Sequence, residues 1–437
     1  MINRQSVCLR RLGGTRAGEM KLGRWIANDK VTTKEISAAI VEKSRLLSKD
    51  KHVLAIQDTT ELNYEAKIGR IKGLGQVGHG GNSYGFYLHP MLVIDADKEE
   101  CLGLASIKSW VRAEDEKKAK DRVRKLQPIE QKESYRWIES SLKAKQILCE
   151  ARQVTIVADR ESDIYEEWCR IPDKKTHLLT RACQDRLLSN TKKLFSHVKG
   201  LEVMGKYEVE VKAVPGKRRR AHLAKMEIRF DEVEINRPIK CSDKSAPNSV
   251  KLNVVDVLES QKSVLKNEKP IHWCLLTTHE IKNVEQALEI VHWYCMRWHI
   301  EQFFRVLQKQ GIDIESSQIQ TAAGLMKLAT VACFAALRIM QLILARDGKE
   351  QSVSVVFTRT ECKLLSKLQK KLEGRTEKQK NHYKATSLSW AAWIIARLGG
   401  WKGYSSESPP GPITFSRGLK NFQVIREGLS LLDVCID

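Results

Sequence analysis

The sequence predicts a mixed α/β fold: a sheet flanked by helices, interrupted by a β-rich insertion, with helical N- and C-terminal regions. Three observations point there. Two short apolar runs, VLAIQ before Asp58 and VTIVA before Asp159, read as buried strands that each end in an acid. Residues from about 186 to 280 alternate apolar and polar side chains with period two. Helical spacing brackets both, over 33–47, 283–309 and 321–346.

Residues 1–50 are basic and helical in pattern, with Ile36, Ile40 and Leu47 on one side of a helix over Thr33 to Leu47. The run ending at Gln57 is the first strand. GLGQVGHGG, residues 73–81, reads as a loop over the sheet. FYLHPMLVID and CLGLASIKSWV form an antiparallel hairpin about the turn DADKEE. A charged helix is expected over about 115–151, then VTIVAD as a strand, SDIYEEWCR as a helix and HLLTRA as a strand. In the insertion, YEVEVKAV and AKMEIRFDEVEI flank a Pro215-Gly216-Lys217 turn, followed by KLNVVDVLE and HWCLLTT. Asn283, with Gln286 three residues on, begins a long helix to Lys309. A more buried helix follows, and 351–437 is helical with a lysine-rich middle. The expected domains are a shortened DNA-recognition region (1–50), a core in two parts (51–185 and 283–350), the insertion (186–282) and a C-terminal helical region (351–437).

The chain has 437 residues, and its 75 basic against 53 acidic residues give a net charge of +22. Such an excess favours polyanions, nucleic acid before anionic membrane. Eleven cysteines without a C-x-x-C pair argue against a disulfide frame or zinc knuckle and for a reducing compartment. The N-terminus lacks a signal-peptide core. The apolar run Leu328 to Ala345 is broken by Arg338 and Gln341, so a core helix is expected and no membrane partner. A cytoplasmic, nucleoid-associated protein is the expectation.

A carboxylate at the end of a buried strand is partly desolvated and is costly unless paired, neutralised or coordinated. Singly, Asp58 reads as a turn former with Thr59 or Thr60, and Asp159 as a helix cap or a partner of Arg160. As a pair on neighbouring strands they repel, and a divalent cation such as Mg²⁺ resolves the conflict. Glu301 stands alone among bases. Counting 100° per residue from Tyr294, Arg297 falls at about 300°, Glu301 at about 340° and Arg305 at about 20°, one polar stripe. Trp293, Met296, Ile300, Phe303, Phe304 and Leu307 take the core side. Glu301 reads equally as a weak i, i+4 ion pair with Arg297, worth about 0.2–0.5 kcal/mol, or as an arm of a metal site.

Other signals are weaker. Gly73 to Gly78 satisfies G-x-G-x-x-G, but no strand–helix junction frames it, so a dinucleotide site is excluded. The histidines show no ligand spacing, and His89 reads as a packed or hydrogen-bonded residue. Lys217 to Arg220 reads as a solvated hairpin tip or a phosphate contact. Trp273 opens an apolar strand, so core packing stands beside base stacking.

VLAIQDTTELNY, ADRESDIYE and the spacing Tyr294-x2-Arg297-x3-Glu301 resemble the three blocks of bacterial insertion-sequence DDE transposases. The similar group has a β-strand insertion in an RNase H-like core, a D-R-E-[AS]-D second block and a Y-x2-R-x3-E-x6-K third block. LLTRA, WCLLTT and SLSWAAWIIARLGGW are also similar, and the resemblance runs from about residue 22 to the end. It implies Asp58, Asp159 and Glu301 as catalytic, metal-binding residues for Mg²⁺, with Mn²⁺ as substitute. It further implies cutting of double-stranded DNA at transposon ends, with a hairpin on the cut end, and joining to target DNA. Tyr294, Arg297 and Arg181 would contact phosphates, Trp273 would stack on a flipped base, and the C-terminal helices would pair a homodimer on DNA.

Two positions depart from the pattern. Gln308 stands where the family has lysine, and Lys309 lies 100° further round the helix, reaching phosphate only through its flexible stem. Only 57 residues precede Asp58, where the family carries a longer helical DNA-recognition region. The alternative expectation is therefore a catalytically defective remnant that binds DNA or inhibits an active relative.

Overall fold

The computed structural model describes residues 1–67, 69–78, 83–112, 127–213, 219–404 and 406–434. Along the chain the strands are β1 (His52–Gln57), β2 (Thr60–Asn63), β3 (Gly75–Val77), β4 (Ser83–Asp95), β5 (Cys101–Trp110), β6 (Gln153–Ala158), β7 (Thr176–Arg181), β8 (Gly205–Val211), β9 (His222–Asn236), β10 (Ser249–Glu259) and β11 (His272–Thr277). The helices are α1 (Leu9–Gly13), α2 (Arg16–Ala27), α3 (Thr33–Leu47), α4 (Tyr135–Ile147), α5 (Tyr165–Arg170), α6 (Leu194–Lys199), α7 (Val284–Met296), α8 (Trp298–Gln308), α9 (Ala322–Ala345), α10 (Arg359–Leu372), α11 (Leu388–Leu398) and α12 (Pro412–Val434). The fold class is the expected one: a large mixed sheet, flanked by helices and extended by a β-rich insertion, consistent with an RNase H-like core. Two compact units divide the chain.

One unit comprises Asp50–Asp58 and Lys118–Trp298. Its sheet runs β1-β6-β7-β11-β10-β9-β8. The first three strands are parallel, and the remaining pairings are antiparallel. All six residues of β1 are buried, as are the last five of β6, which explains their unbroken apolar runs. Helix α4 packs on β1, and α7 on β9 and β10. The period-two pattern of β9 changes phase along the strand. Ala224, Met226 and Ile228 are buried at one end, Val233 and Ile235 at the other, while pairing with β10 continues. Residues 214–218, including the expected Pro215-Gly216-Lys217 turn, lie outside the described residues. So does 113–126, where the expected helix over 115–151 begins; its described part includes α4, Tyr135–Ile147.

The other unit comprises Met1–Lys49, Thr59–Lys117 and His299–Asp437. Its β4–β5 hairpin turns where Asp95 Oδ1 accepts the amides of Asp97 and Lys98, both at 3.0 Å. Short β2 and β3 also pair antiparallel with β4. Residues 75–77, expected as loop, are therefore strand; 79–82 lie outside the described residues. Helix α3 has its expected bounds and a full capping box between Thr32 and Glu35. Its buried face is Ser37, Ile40, Val41 and Ser44, with Ile36 and Leu47 only at the margin. The reason is contact with β5: Ser44 Oγ accepts from Leu104 N at 2.8 Å, and a Cβ on Gly103 would stand 1.9 Å from it. Helix α9 is long and apolar enough to cross a membrane, yet 72% of its most apolar window is buried against its own unit. It packs on β5, α3, α11 and α12.

Candidate active site

The two strand-end aspartates are neighbours by register. β1 and β6 pair Ile56 with Val157, and each aspartate lies two residues further on. β6 and β7 pair Ala158 with Thr180, so the next position sets Arg181 beside Asp159. Three adjacent parallel strands thus end in the row Asp58, Asp159, Arg181. Carboxyl ends of parallel strands are where open α/β sheets place ligands.

The carboxylates are held differently. Asp58 Oδ2 accepts from Arg297 Nη1 at 2.8 Å, and both side chains are only 15% exposed. Asp159 Oδ1 accepts from Glu161 N at 2.8 Å, so it caps the 3₁₀ turn Arg160–Ser162. Asp159 is a helix cap, as one reading of it had, and Asp58 makes a long-range ion pair.

Arg297 reaches Asp58 from a break in the helix. The long helix expected from Asn283 to Lys309 is two, α7 and α8, with Arg297 between them and its amide turned to Tyr294 O at 3.1 Å. Arg297 keeps helical backbone angles, and the core side of the 100° count, Trp293 and Met296 with Ile300, Phe303, Phe304 and Leu307, is buried on both sides of it. At the start of α7, Asn283 Oδ1 accepts from Gln286 N at 2.9 Å, and Gln286 returns its carbonyl to Lys282 rather than to Asn283.

Tyr294 is buried, with the Arg297 guanidinium 6.0 Å from its ring centroid. Burial pushes its phenol up, Arg297 and Arg181 pull it down, and Asp159 adds to the rise. These three charges therefore lie within electrostatic reach of one hydroxyl. Trp273 is half-buried and meets Tyr294 at 5.6 Å and 64°. Arg181 Nη2 donates to His272 O at 3.0 Å.

A buried network joins the segments that carry the aspartates, and the sequence reading missed it. Glu167 on α5 accepts from Ser162 Oγ at 2.5 Å, Ser141 Oγ at 2.9 Å and Gln57 Nε2 at 3.4 Å. Gln57 precedes Asp58, and Ser162 ends the turn that Asp159 caps. Full burial raises the Glu167 carboxyl to about 7, against the lowering effect of its three donors. Asp163 is also buried. It takes Arg186 Nη2 at 2.5 Å and the amides of Cys183 and Gln184 at 2.7 and 2.9 Å, which fixes the chain leaving β7. The signal for both was an acid-rich turn, ESDIYEE, too polar for its amphipathic surroundings.

The remaining third-block residues belong to the second unit. Glu301 lies half-buried in the first turn of α8, while Ile300, Phe303, Phe304 and Leu307 are buried as expected, together with Val306. Gln308 Nε2 donates to Thr60 Oγ1 at 3.1 Å and Glu61 O at 2.7 Å, which ties α8 to β2. Lys309 is exposed, with its amide on Arg305 O at 2.9 Å.

Among the described residues no group of three or more His, Cys, Asp or Glu side chains is gathered as a metal cluster. In kind, however, the strand-end donors suit a hard cation: carboxylate oxygens at matched register, one of them already facing a positive charge.

Elsewhere, His89 is buried and bonded to Thr59 at 2.8 Å, as its packed reading requires. Lys217 and Arg218 lie outside the described residues; Arg219 and Arg220 engage Lys269 O and Glu268 rather than standing free. Three histidines gather without any sequence spacing. His52 and His279 both bond Thr155 Oγ1, at 2.8 and 2.7 Å, and His177 stacks on His279. Burial drives His279 down to about 2, so it is neutral. The described cysteines are free.

The class defined is thus a mixed α/β protein with a row of acids and bases at the ends of parallel strands. No protein-family model matches the chain. Among solved structures it is similar to a piggyBac transposase in a synaptic complex with hairpin DNA, with a TM-score of 0.36 and 8% identity, over 86% of this chain. This chain spans 57% of the length of that one, and a likeness so distant carries no argument about activity.

Proposed function

We propose that the protein is a DNA transposase that cleaves phosphodiesters at the ends of a mobile element and joins them to target DNA. The observation that carries this reading is the row Asp58, Asp159, Arg181, with Arg297 and Tyr294 beside it. The net charge of +22 supports a DNA partner. The assignment to the bacterial insertion-sequence group rests on the three sequence blocks.

In this reading Asp58, Asp159 and Glu301 would hold Mg²⁺, or Mn²⁺ in its place. The bound ions would offset charge on the phosphate and make water or a 3′-hydroxyl a better nucleophile. Arg181 and Arg297 bind phosphate oxygens; Arg297 exchanges its bond to Asp58 for one to DNA. Tyr294 keeps its proton at neutral pH, because burial raises its phenol, and so donates a hydrogen bond rather than repelling phosphate. Trp273 stacks on a base displaced from the duplex. Lys309 reaches the backbone from the end of α8. Residues 351–437 pair two copies on two DNA ends.

Gln308 favours one second reading. Its amide is committed to Thr60 and Glu61 and carries no charge for phosphate, as in a remnant that binds DNA without cutting it. Purified protein incubated with Mg²⁺ and DNA bearing the repeats that flank its gene separates the two. Nicking and joining that disappear in Asp159→Ala support the transposase. Salt-sensitive binding without cleavage supports the remnant, and cleavage that survives Asp159→Ala refutes the assignment of the acids.

A further inference from the structure

A cleft of about 640 Å³ lies within the C-terminal helical region, remote in sequence from the aspartates. Its walls include Tyr383, Trp393, Trp401 and Tyr404, with Arg346 and Lys378 balanced by Asp347 and Glu407. That volume is in the range of a small-molecule site and admits a base with its sugar.

The rings are held in place before any ligand arrives. Tyr383 Oη donates to Arg346 O at 3.2 Å, and Tyr404 Oη accepts from Gln379 Nε2 at 3.2 Å. Arg397 lies over Trp393, 5.5 Å from its centroid. Tyr404 nevertheless leaves 51% of its surface exposed. Gly403, at φ +80°, lets the chain turn between Trp401 and Tyr404, and a Cβ there would meet Arg397 and Trp401. The Trp401 indole Nε1 is buried with no acceptor among the described residues.

The segment beside the cleft points to the occupant. Residues 370–384, of which Lys378 and Tyr383 line the cleft, carry Lys370, Lys371, Arg375, Lys378, Lys380 and Lys384 against Glu373 and Glu377: six cations, two acids, net +4. An aromatic cleft beside a cationic track is the pairing that single-stranded nucleic acid recognition uses, rings for bases and lysines for phosphates. A proline-rich peptide also docks on aromatic grooves, but it has no use for that charge.

We propose that this cleft holds an unpaired base of single-stranded DNA, stacked on Tyr404 and its neighbouring rings, with the 370–384 lysines along the backbone. It shares no residue with the Asp58–Asp159 site, so either can fail without the other.

The test is anisotropy of fluorescein-labelled oligothymidylate with the full chain, beside a duplex of equal length and a polyproline peptide. Tyr404→Ala should weaken oligothymidylate binding roughly 5- to 150-fold, the equivalent of about 1–3 kcal/mol per stacked base, and leave duplex binding unchanged. Tyr404→Phe keeps the ring and should bind as the parent does. An unaltered thermal midpoint verifies that the exposed substitution preserves the fold. Equal loss for duplex and single strand, no loss with Tyr404→Ala, or displacement of the oligonucleotide by polyproline would each overturn the proposal.

Discussion

Glu167→Gln should flatten part of the pH dependence of stability. In the folded protein this fully buried carboxyl sits at about 7, against an ordinary value near 4.5. A raised acid binds its proton more tightly when folded. Its stabilising contribution is therefore complete below pH 4.5 and is lost as pH rises to about 7. At 1.36 kcal/mol per pH unit, the loss amounts to on the order of 3 kcal/mol. Glutamine mimics the protonated acid: its carbonyl can still accept from Ser141 and Gln57, and the Ser162 hydroxyl can rotate to accept its amide. Urea unfolding at several pH values from 5 to 8 is the assay. The difference between parent and variant should change across that range in the variant's favour and level off above pH 7. A difference independent of pH would refute the account of Glu167 as a buried, proton-holding strut between the two aspartate-bearing segments.

Further outcomes follow from single contacts. Gln308→Ala removes two hydrogen bonds between α8 and β2 and should cost roughly 1–3 kcal/mol in urea unfolding; no change would mean that the amide prefers water. Arg186→Ala strands Asp163, whose side chain is 1% exposed, and should cost roughly 3–5 kcal/mol by the same assay. Gly418→Ala places a methyl 1.9 Å from Ile395 O where α12 crosses α11, and should lower stability by roughly 1–3 kcal/mol; a neutral result would mean that the helices separate without cost.

Much of the fold was legible because local pattern and tertiary role agree. VLAIQ and VTIVA are buried on both faces, so they read as strands, and their aspartates could be matched before any register was known. The mass of α9 inside its unit was foreshadowed by Arg338 and Gln341 within its apolar run. What escaped was non-local. Nothing in the spacing of Glu167, Ser141 and Gln57 joins them, since 110 residues separate Glu167 from Gln57. The pairs Asp163–Arg186 and Asp58–Arg297 are likewise made by topology, not periodicity. The break at Arg297 left no trace because apolar spacing continues through it. β2 and β3, at four and three residues, are too short to declare an alternation. Gln308 was noticed only as a missing charge; its two bonds give it a structural role.

Under the proposed function, Asp58, Asp159 and Glu301 would serve one cation site. Titration of the full chain with Mn²⁺, followed by the electron paramagnetic resonance of the free ion, tests it directly in Asp58→Asn, Asp159→Asn and Glu301→Gln. The parent should bind Mn²⁺, and each substitution alone should weaken binding by about tenfold or more, the equivalent of at least roughly 1.4 kcal/mol. Mn²⁺ affinity unchanged in all three variants would contradict it.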